Sequence, residues 1–229
     1  MRWPVVIFDI DGTLVDSVDL IVASYQNAFR QVLGREGDET EIRTWIGQSL
    51  RDSLTRAFPG SPDQVAVATT AYLDWNEAHM PSCLKACAGM VELTADLAKA
   101  GIRLGAVTSK RAKNAAWSLE LADLAETVPL LVTADETDRH KPDPAPLLLA
   151  AHKLDVSPQQ CVYVGDAATD IEAAQRAGMG SVAVTWGAGT MADLVAAQPD
   201  ALCASTAQLR EALLGDKCGG WEVPRQPGP

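Results

Sequence analysis

Val5-Val6-Ile7-Phe8-Asp9-Ile10-Asp11-Gly12-Thr13-Leu14 decides how the rest of this chain is read. Its leading apolar residues form a run without polar alternation, the mark of a strand buried on both faces in a parallel sheet. Sheets of that kind bind ligands at the carboxyl ends of their strands. Asp9 stands at that end and Asp11 follows two residues on, so both can serve one site. Gly12 then lets the backbone turn away. An aspartate so placed can act as a nucleophile toward phosphorus, a metal ligand or an acid/base. Asp-Gly is also a common turn pair, so the assignment depends on what the other strand ends carry.

After Leu14 the pattern turns helical. Leu20, Ile21, Ala23, Ser24, Ala28, Val32 and Leu33 recur near helical spacing, and Gly34 closes the stretch. Further helices are predicted over 39–46, 48–57 and 62–78, broken at Gly34, Gly47 and Phe58-Pro59-Gly60. Residues 16–82 therefore read as an all-helical insert. From 83 onward strands and helices alternate. Strands are predicted over 103–107, 128–133, 161–164 and 181–185. Helices are predicted over 90–100, 111–121, 144–154, 168–177 and 191–197, and a strand-helix pair over 201–214. This alternation predicts an α/β fold, a Rossmann-like doubly wound parallel sheet. Its core is built from 1–15 and 83–214, with the helical cap, 16–82, inserted. Residues 215–229, rich in Gly and Pro, read as a loose tail.

The 229 residues suffice for one large or two small domains, and a 47% hydrophobic share supplies a packed core. The formal charge of −11, from 30 acidic and 19 basic residues, disfavours nucleic acid and anionic membranes as partners. No apolar run is long enough to span a bilayer, and Asp9 and Asp11 interrupt the N-terminal run too early for a signal peptide. A cytoplasmic location is expected. Cys83, Cys87, Cys161, Cys203 and Cys218 are odd in number and widely spaced, which predicts free thiols rather than a zinc site.

Four strand ends carry polar residues able to meet at one edge of the sheet: Asp9-Ile10-Asp11, Thr108-Ser109-Lys110, Lys141-Pro142, and Gly165-Asp166-Ala167-Ala168-Thr169-Asp170. Each has an ordinary reading: Thr108 or Ser109 as a helix N-cap, Lys141 as a loop lysine, Asp166 and Asp170 as caps. All four at successive strand ends point instead to one site. The chemistry fits phosphoryl transfer. A carboxylate attacking an anionic phosphate needs a cation between them, and Mg²⁺ with hard oxygen ligands suits this. Asp9 and Asp166 can supply carboxylate ligands, and Asp11 its backbone carbonyl. Lys141 offsets the remaining charge. Thr108 or Ser109, with nearby N–H groups, can hold phosphoryl oxygens. Asp11 can protonate the leaving oxygen and then deprotonate the water that hydrolyses an aspartyl phosphate.

Together these residues resemble the haloacid dehalogenase superfamily. Asp9-Ile-Asp11-Gly-Thr is similar to its first motif, Thr108-Ser109-Lys110 to its second, Lys141-Pro142 to its third and Gly165-Asp166-x-x-x-Asp170 to its fourth, in order over about residues 4–214. The helical insert resembles the family's C1 cap. Asp-Gly-Thr-Leu-Val-Asp-Ser, Thr-Ser-Lys and Val-Thr-Trp-Gly resemble its phosphoglycolate phosphatase-like branch. The resemblance implies Asp9 as nucleophile, Asp11 as acid/base, Asp9, Asp11 and Asp166 as Mg²⁺ holders, and Asp170 and Thr13 as supporting residues. It implies a phosphatase acting on a small phosphorylated metabolite, with 2-phosphoglycolate first and pyrophosphate, a sugar phosphate or a nucleotide monophosphate as alternatives.

Neighbouring branches differ at positions visible here. Dehalogenases and phosphonoacetaldehyde hydrolases lack the second aspartate, and Asp11 is present. β-Phosphoglucomutases usually carry Glu-Asp where Gly165-Asp166 stands, which favours hydrolysis. A catalytically silent binding protein is the remaining alternative; such members usually lose an aspartate or the lysine, and none is missing. Within the cap, Trp45-Ile46-Gly47-Gln48-Ser49-Leu50-Arg51 breaks a helical pattern at Gly47 and looks like the substrate loop of related caps. Arg51 could pair with a carboxylate or second phosphate, or be a solvated helix-face arginine. Ser17, Val18 and 82–88 are the expected hinges, and Trp75 and His79 the expected cap packing.

Overall fold

The computed structural model describes residues 3–215, so the predicted tail lies, beyond Gly215, outside the described residues. The first strand, β1 (Val5–Phe8), is buried throughout and pairs in parallel on both sides, with β4 (Arg103–Val107) and β6 (Cys161–Gly165). Outward from these run β5 (Leu130–Val132) on one side and β7 (Gly180–Val184) and β8 (Ala201–Cys203) on the other. The sheet has six parallel strands in the order β5-β4-β1-β6-β7-β8. This is the doubly wound α/β arrangement the alternation predicts. Its connections reverse direction between β1 and β6, and ligand crevices form at that point.

The apolar run of β1 is explained by two separate layers of packing. Val6 and Phe8 join a cluster with α5 (Met90–Lys99), α6 (Ala112–Leu121) and α10 (Thr206–Leu214). Val5 and Ile7 join another with α7 (Ala145–Lys153) and α8 (Ala168–Ala177) on the opposite face. Val162 and Val164 of β6 divide from Cys161 and Tyr163 in the same way. Each such fully buried side chain contributes about 1.5–3 kcal/mol, so the strand is pinned in depth and register. A last short helix, α9 (Met191–Ala196), packs Leu194 against Ala183 and Ile171.

Between β1 and α5 lie four helices: α1 (Val18–Leu33), α2 (Glu39–Arg43), α3 (Leu50–Ala57) and α4 (Pro62–Cys83). They hold their own apolar cluster around Tyr25, Phe29, Ile42, Trp45, Leu54 and Tyr72. Gly34, at φ 66°, ends α1 in the left-handed conformation, as its sequence position predicts.

Three local expectations are corrected. Helix α4 does not end near 78 but continues through Pro81 to Cys83. Met80 is fully buried in the core cluster, and that packing outweighs the donor a proline lacks. The strand predicted over 128–133 is confined to Leu130–Val132, because the Val128 N–H turns back to Leu124 O at 2.9 Å. A short antiparallel ribbon, β2 (Val15–Asp16) with β3 (Lys85–Ala86), stands where the chain leaves and rejoins the sheet. Two-residue strands carry no periodic signal; β3 falls within the expected hinge 82–88, while β2 precedes Ser17 and Val18, which cap and begin α1.

Candidate active site

Asp9 follows directly on β1, and its N–H donates to Val164 O at 2.9 Å, so the backbone ladder carries it to the strand edge. Its side chain is 2% exposed. Neither carboxylate oxygen has a hydrogen-bond partner among the described residues, and Oδ1 has only the Lys141 ammonium, 3.0 Å away. A buried acceptor left so is costly unless something unseen engages it.

Lys141 lies in the segment between β5 and α7 and is buried beneath Asp9. Its Nζ donates to Asp170 Oδ1 at 2.6 Å and to Tyr163 Oη at 3.0 Å. Tyr163 Oη donates in turn to Val107 O at 2.8 Å, and Asp170 Oδ2 accepts from the Ala167 N–H at 3.0 Å. Burial pushes the ammonium down, but the Asp170 and Asp9 carboxylates outweigh it and hold it well above the usual lysine range. Lys141 is therefore a fixed positive charge.

Asp166, after β6, is held by Thr13 Oγ1 donating to Oδ1 at 2.9 Å and by the Ala188 N–H donating to Oδ2 at 2.7 Å. Gly12, at φ 75°, is required here, since a Cβ would stand 2.4 Å from Asp166 Oδ2. Burial pushes the Asp166 carboxyl up to about 7, with Asp170 adding to the effect. Burial also raises Asp9 well above the usual range, because Asp170, Asp166 and Asp11 oppose the relief from Lys141.

Ligand atoms of Asp9, Asp166 and Asp170 all lie within 4.8 Å of one another. Asp170 is already committed to Lys141 and Ala167, which leaves Asp9 and Asp166 as the carboxylates for a cation. The donor set is all oxygen, buried and short of positive charge, and that fits a hard divalent cation.

Asp11 lies just beyond, 7% exposed. Its Oδ1 accepts from Lys110 Nζ at 2.7 Å and from Ser17 Oγ at 2.7 Å. Thr108 Oγ1 accepts from the Lys110 N–H at 3.2 Å, leaving its own O–H to donate. Asp9, Asp11, Thr108, Ser109, Gly47 and Arg51 all line one cavity of about 1210 Å³ between the sheet edge and the helices. Gly47, at φ 85°, faces the Asp166 segment; a Cβ there would meet Ala167 at 3.7 Å. Arg51, exposed in the first turn of α3, makes no ion pair among the described residues. Lys141, Asp166, Asp170 and Thr13 sit behind the cavity wall rather than on it.

Sequence reasoning placed these residues together but missed their partners. Lys110 and Ser17 at Asp11, Tyr163 at Lys141 and Ala188 at Asp166 were given no such role. Only Lys110, inside Thr108-Ser109-Lys110, carried a signal that could have found it. Trp75 and His79 stack on each other, with centroids 3.8 Å apart, and line no part of this cavity.

Comparisons with known proteins give the family and the fold. A family model described as haloacid dehalogenase-like hydrolase matches residues 6–184. The chain is 30% identical to pyrophosphatase PpaX of Bacillus cereus over 200 residues, 87% of this chain and 91% of that protein. The crystal structure of a predicted phosphoglycolate phosphatase from Haemophilus somnus superposes with a TM-score of 0.82 at 23% identity, covering 93% of this chain and 98% of that one. A β-phosphoglucomutase from Clostridium difficile superposes with a TM-score of 0.77 at 23% identity, covering 90% and 93%. At those identities the two structures speak for the fold alone.

Proposed function

The chain belongs to the haloacid dehalogenase-like hydrolase family and is a phosphatase; from that premise we propose that it is a Mg²⁺-dependent phosphatase hydrolysing a small phosphomonoester, first 2-phosphoglycolate, through an aspartyl phosphate on Asp9. One observation carries this reading: the buried Asp9 carboxylate, without hydrogen-bond partners among the described residues, at the floor of the cavity. Residues 1–15 and 83–214 form the catalytic core, and 16–82 the cap that closes over it. The free thiols of Cys83, Cys87, Cys161 and Cys203 suit a cytoplasmic enzyme.

Mg²⁺ would be held by the Asp9 and Asp166 carboxylates and the Asp11 backbone carbonyl. When bound, it supplies positive charge that lets an anionic phosphate approach a carboxylate. Asp9 attacks phosphorus as the bond to the leaving oxygen breaks, and Asp11 gives that oxygen its proton. Thr108 and Ser109 donate to the phosphoryl oxygens, while Lys141 offsets charge from below. Asp11, now a base, takes a proton from water attacking phosphorus, and Asp9 is released as a carboxylate. Asp170 and Thr13 act through Lys141 and Asp166, which they hold.

Pyrophosphate is the second reading, favoured by the PpaX relative. Both substrates carry a second anionic group, and Arg51 and the Gly47 loop are where the cap would meet it. A mutase is disfavoured because a Cβ at Gly165 would stand 2.4 Å from the Asp170 carboxylate, which two partners hold.

The test is phosphate release from a panel of both substrate types, sugar phosphates and nucleotides, with Mg²⁺ and with chelator. Asp9→Asn should lower turnover by several powers of ten, roughly as deletion of a covalent nucleophile does. A folded, undeamidated Asp9→Asn protein keeping more than a few per cent of activity rules the nucleophile out. Full activity in excess chelator rules the metal out.

A further inference from the structure

Lys110 stands in the second strand-end motif, yet nothing in the chemistry above uses its side chain. Its Nζ bridges Asp11 Oδ1 at 2.7 Å and Ser118 Oγ at 3.0 Å. Ser118, fully buried in α6, is itself fixed by donating to Asn114 O at 2.7 Å. Lys110 and Asp11 side chains are each only 10% exposed, so water competes weakly for the pair. The Asp11 backbone is already set, since the Gly12 N–H donates to Val15 O at 2.9 Å. What remains to be fixed is the carboxylate, and Lys110 together with Ser17 takes Oδ1. Oδ2 has no hydrogen bond among the described residues, and Asp11 lines the cavity.

We infer that Lys110 is a positioning residue: anchored on Ser118, it holds Asp11 by Oδ1 so that Oδ2 faces the leaving-group oxygen. The inference rests on the reading of Asp11 as acid and base. Proton delivery depends on a short, aligned contact. A carboxylate free to swing away loses part of that advantage even though its chemistry is unchanged.

A positioning role and a phosphate-binding role for Lys110 differ in what they do to leaving groups. An alkyl alcohol must be protonated as it departs, whereas p-nitrophenolate departs without help. The value of kcat/KM reports steps only as far as release of that group. The experiment measures kcat/KM for p-nitrophenyl phosphate and for an alkyl phosphomonoester in wild type, Lys110→Met and Asp11→Asn. Lys110→Met is expected to lose roughly ten- to a hundredfold on the alkyl ester, a fraction of what a general acid supplies, and at most about threefold on the aryl ester. Asp11→Asn should show the same selectivity, more strongly.

Equal losses on both esters in Lys110→Met, with Asp11→Asn selective, overturn the inference alone and make Lys110 a phosphate ligand. Equal losses in Asp11→Asn overturn the acid/base reading and this inference with it. Should Lys110→Met fail to unfold cooperatively, Ser118→Ala keeps the lysine and removes its anchor. A severalfold loss confined to the alkyl ester is then expected, and its absence overturns the inference.

Discussion

The Lys141 ammonium stands 3.0 Å from Asp9 Oδ1 and, with a side-chain exposure of 1%, never meets solvent. It is also bound to Asp170 at 2.6 Å, so one lysine joins the third motif to both the first and the fourth. Breaking a buried pair outright costs about 3–5 kcal/mol, but Asp9 stays beside the ammonium when Asp170 is removed. Asp170→Ala should therefore lower the free energy of unfolding by less than that, in urea denaturation. It should also depress turnover, because Lys141 loses the partner that aims it. Near-wild-type stability in Asp170→Ala would mean that the ammonium finds another partner.

The Thr13 hydroxyl reaches Asp166 across 153 residues of sequence, at 2.9 Å. Thr13→Val preserves shape and removes the donor. Partners that orient a metal-holding carboxylate typically contribute about 10–100-fold in metal affinity. Isothermal titration of Mg²⁺ into metal-free Thr13→Val should show a loss in that range, with the thermal transition still cooperative. An unchanged dissociation constant would take Thr13 out of the supporting role.

Much of this was legible in the sequence, and the reason is physical. The unbroken apolar run of β1 reports burial on both faces, which Val5 and Ile7 on one side and Val6 and Phe8 on the other satisfy. Asp9, Thr108 and Asp166 each follow directly on a strand, where parallel sheets build sites, whereas Lys141 lies well past β5 and Asp170 inside α8. Pairings between distant residues leave no such trace. Lys110 and Asp11 are 99 residues apart and Tyr163 and Lys141 are 22 apart. Tyr163 reads simply as one more apolar-facing strand residue. The β2–β3 ribbon is too short for any periodicity, and the end of α4 was set by Met80 finding the core, which overrode the proline.

Metal binding should depend on pH with a definite sign. Burial pushes the Asp166 carboxyl up to about 7 from the ordinary 3.8. Between those values the folded protein keeps a proton that the unfolded chain has lost. This contribution to stability is full below pH 3.8 and disappears as pH rises through 7. Raised Asp9 acts in the same direction. A divalent cation must displace the proton, so it binds more weakly in acid. For one proton, affinity should be about tenfold lower at pH 6 than at pH 8, or roughly 1.4 kcal/mol less stabilisation at saturating Mg²⁺. Thermal unfolding with and without Mg²⁺ checks this: the metal-dependent rise in Tm should be larger at pH 8. An equal rise at both values would show that Asp166 gives up no proton to the metal.

Substrate choice should turn on Arg51. It lines the same cavity as Asp9 and Asp11 and makes no ion pair among the described residues. Arg111, the other arginine lining that cavity, pairs with Asp135 at 3.6 Å. If Mg²⁺, Thr108 and Ser109 take the phosphoryl group as proposed, a cap cation is left to meet the substrate's second anionic group. A charge-assisted contact of that kind contributes about 1.5–3 kcal/mol, or roughly one to two powers of ten in binding. Arg51→Ala should raise KM for 2-phosphoglycolate and for pyrophosphate by that factor and leave p-nitrophenyl phosphate nearly unchanged, with kcat little altered. Steady-state kinetics on the three substrates measures the split. Equal effects on all three would return Arg51 to the solvated face of α3. Faster turnover of pyrophosphate than of phosphoglycolate would reverse their order and leave the phosphatase chemistry of Asp9 and Asp11 as it stands.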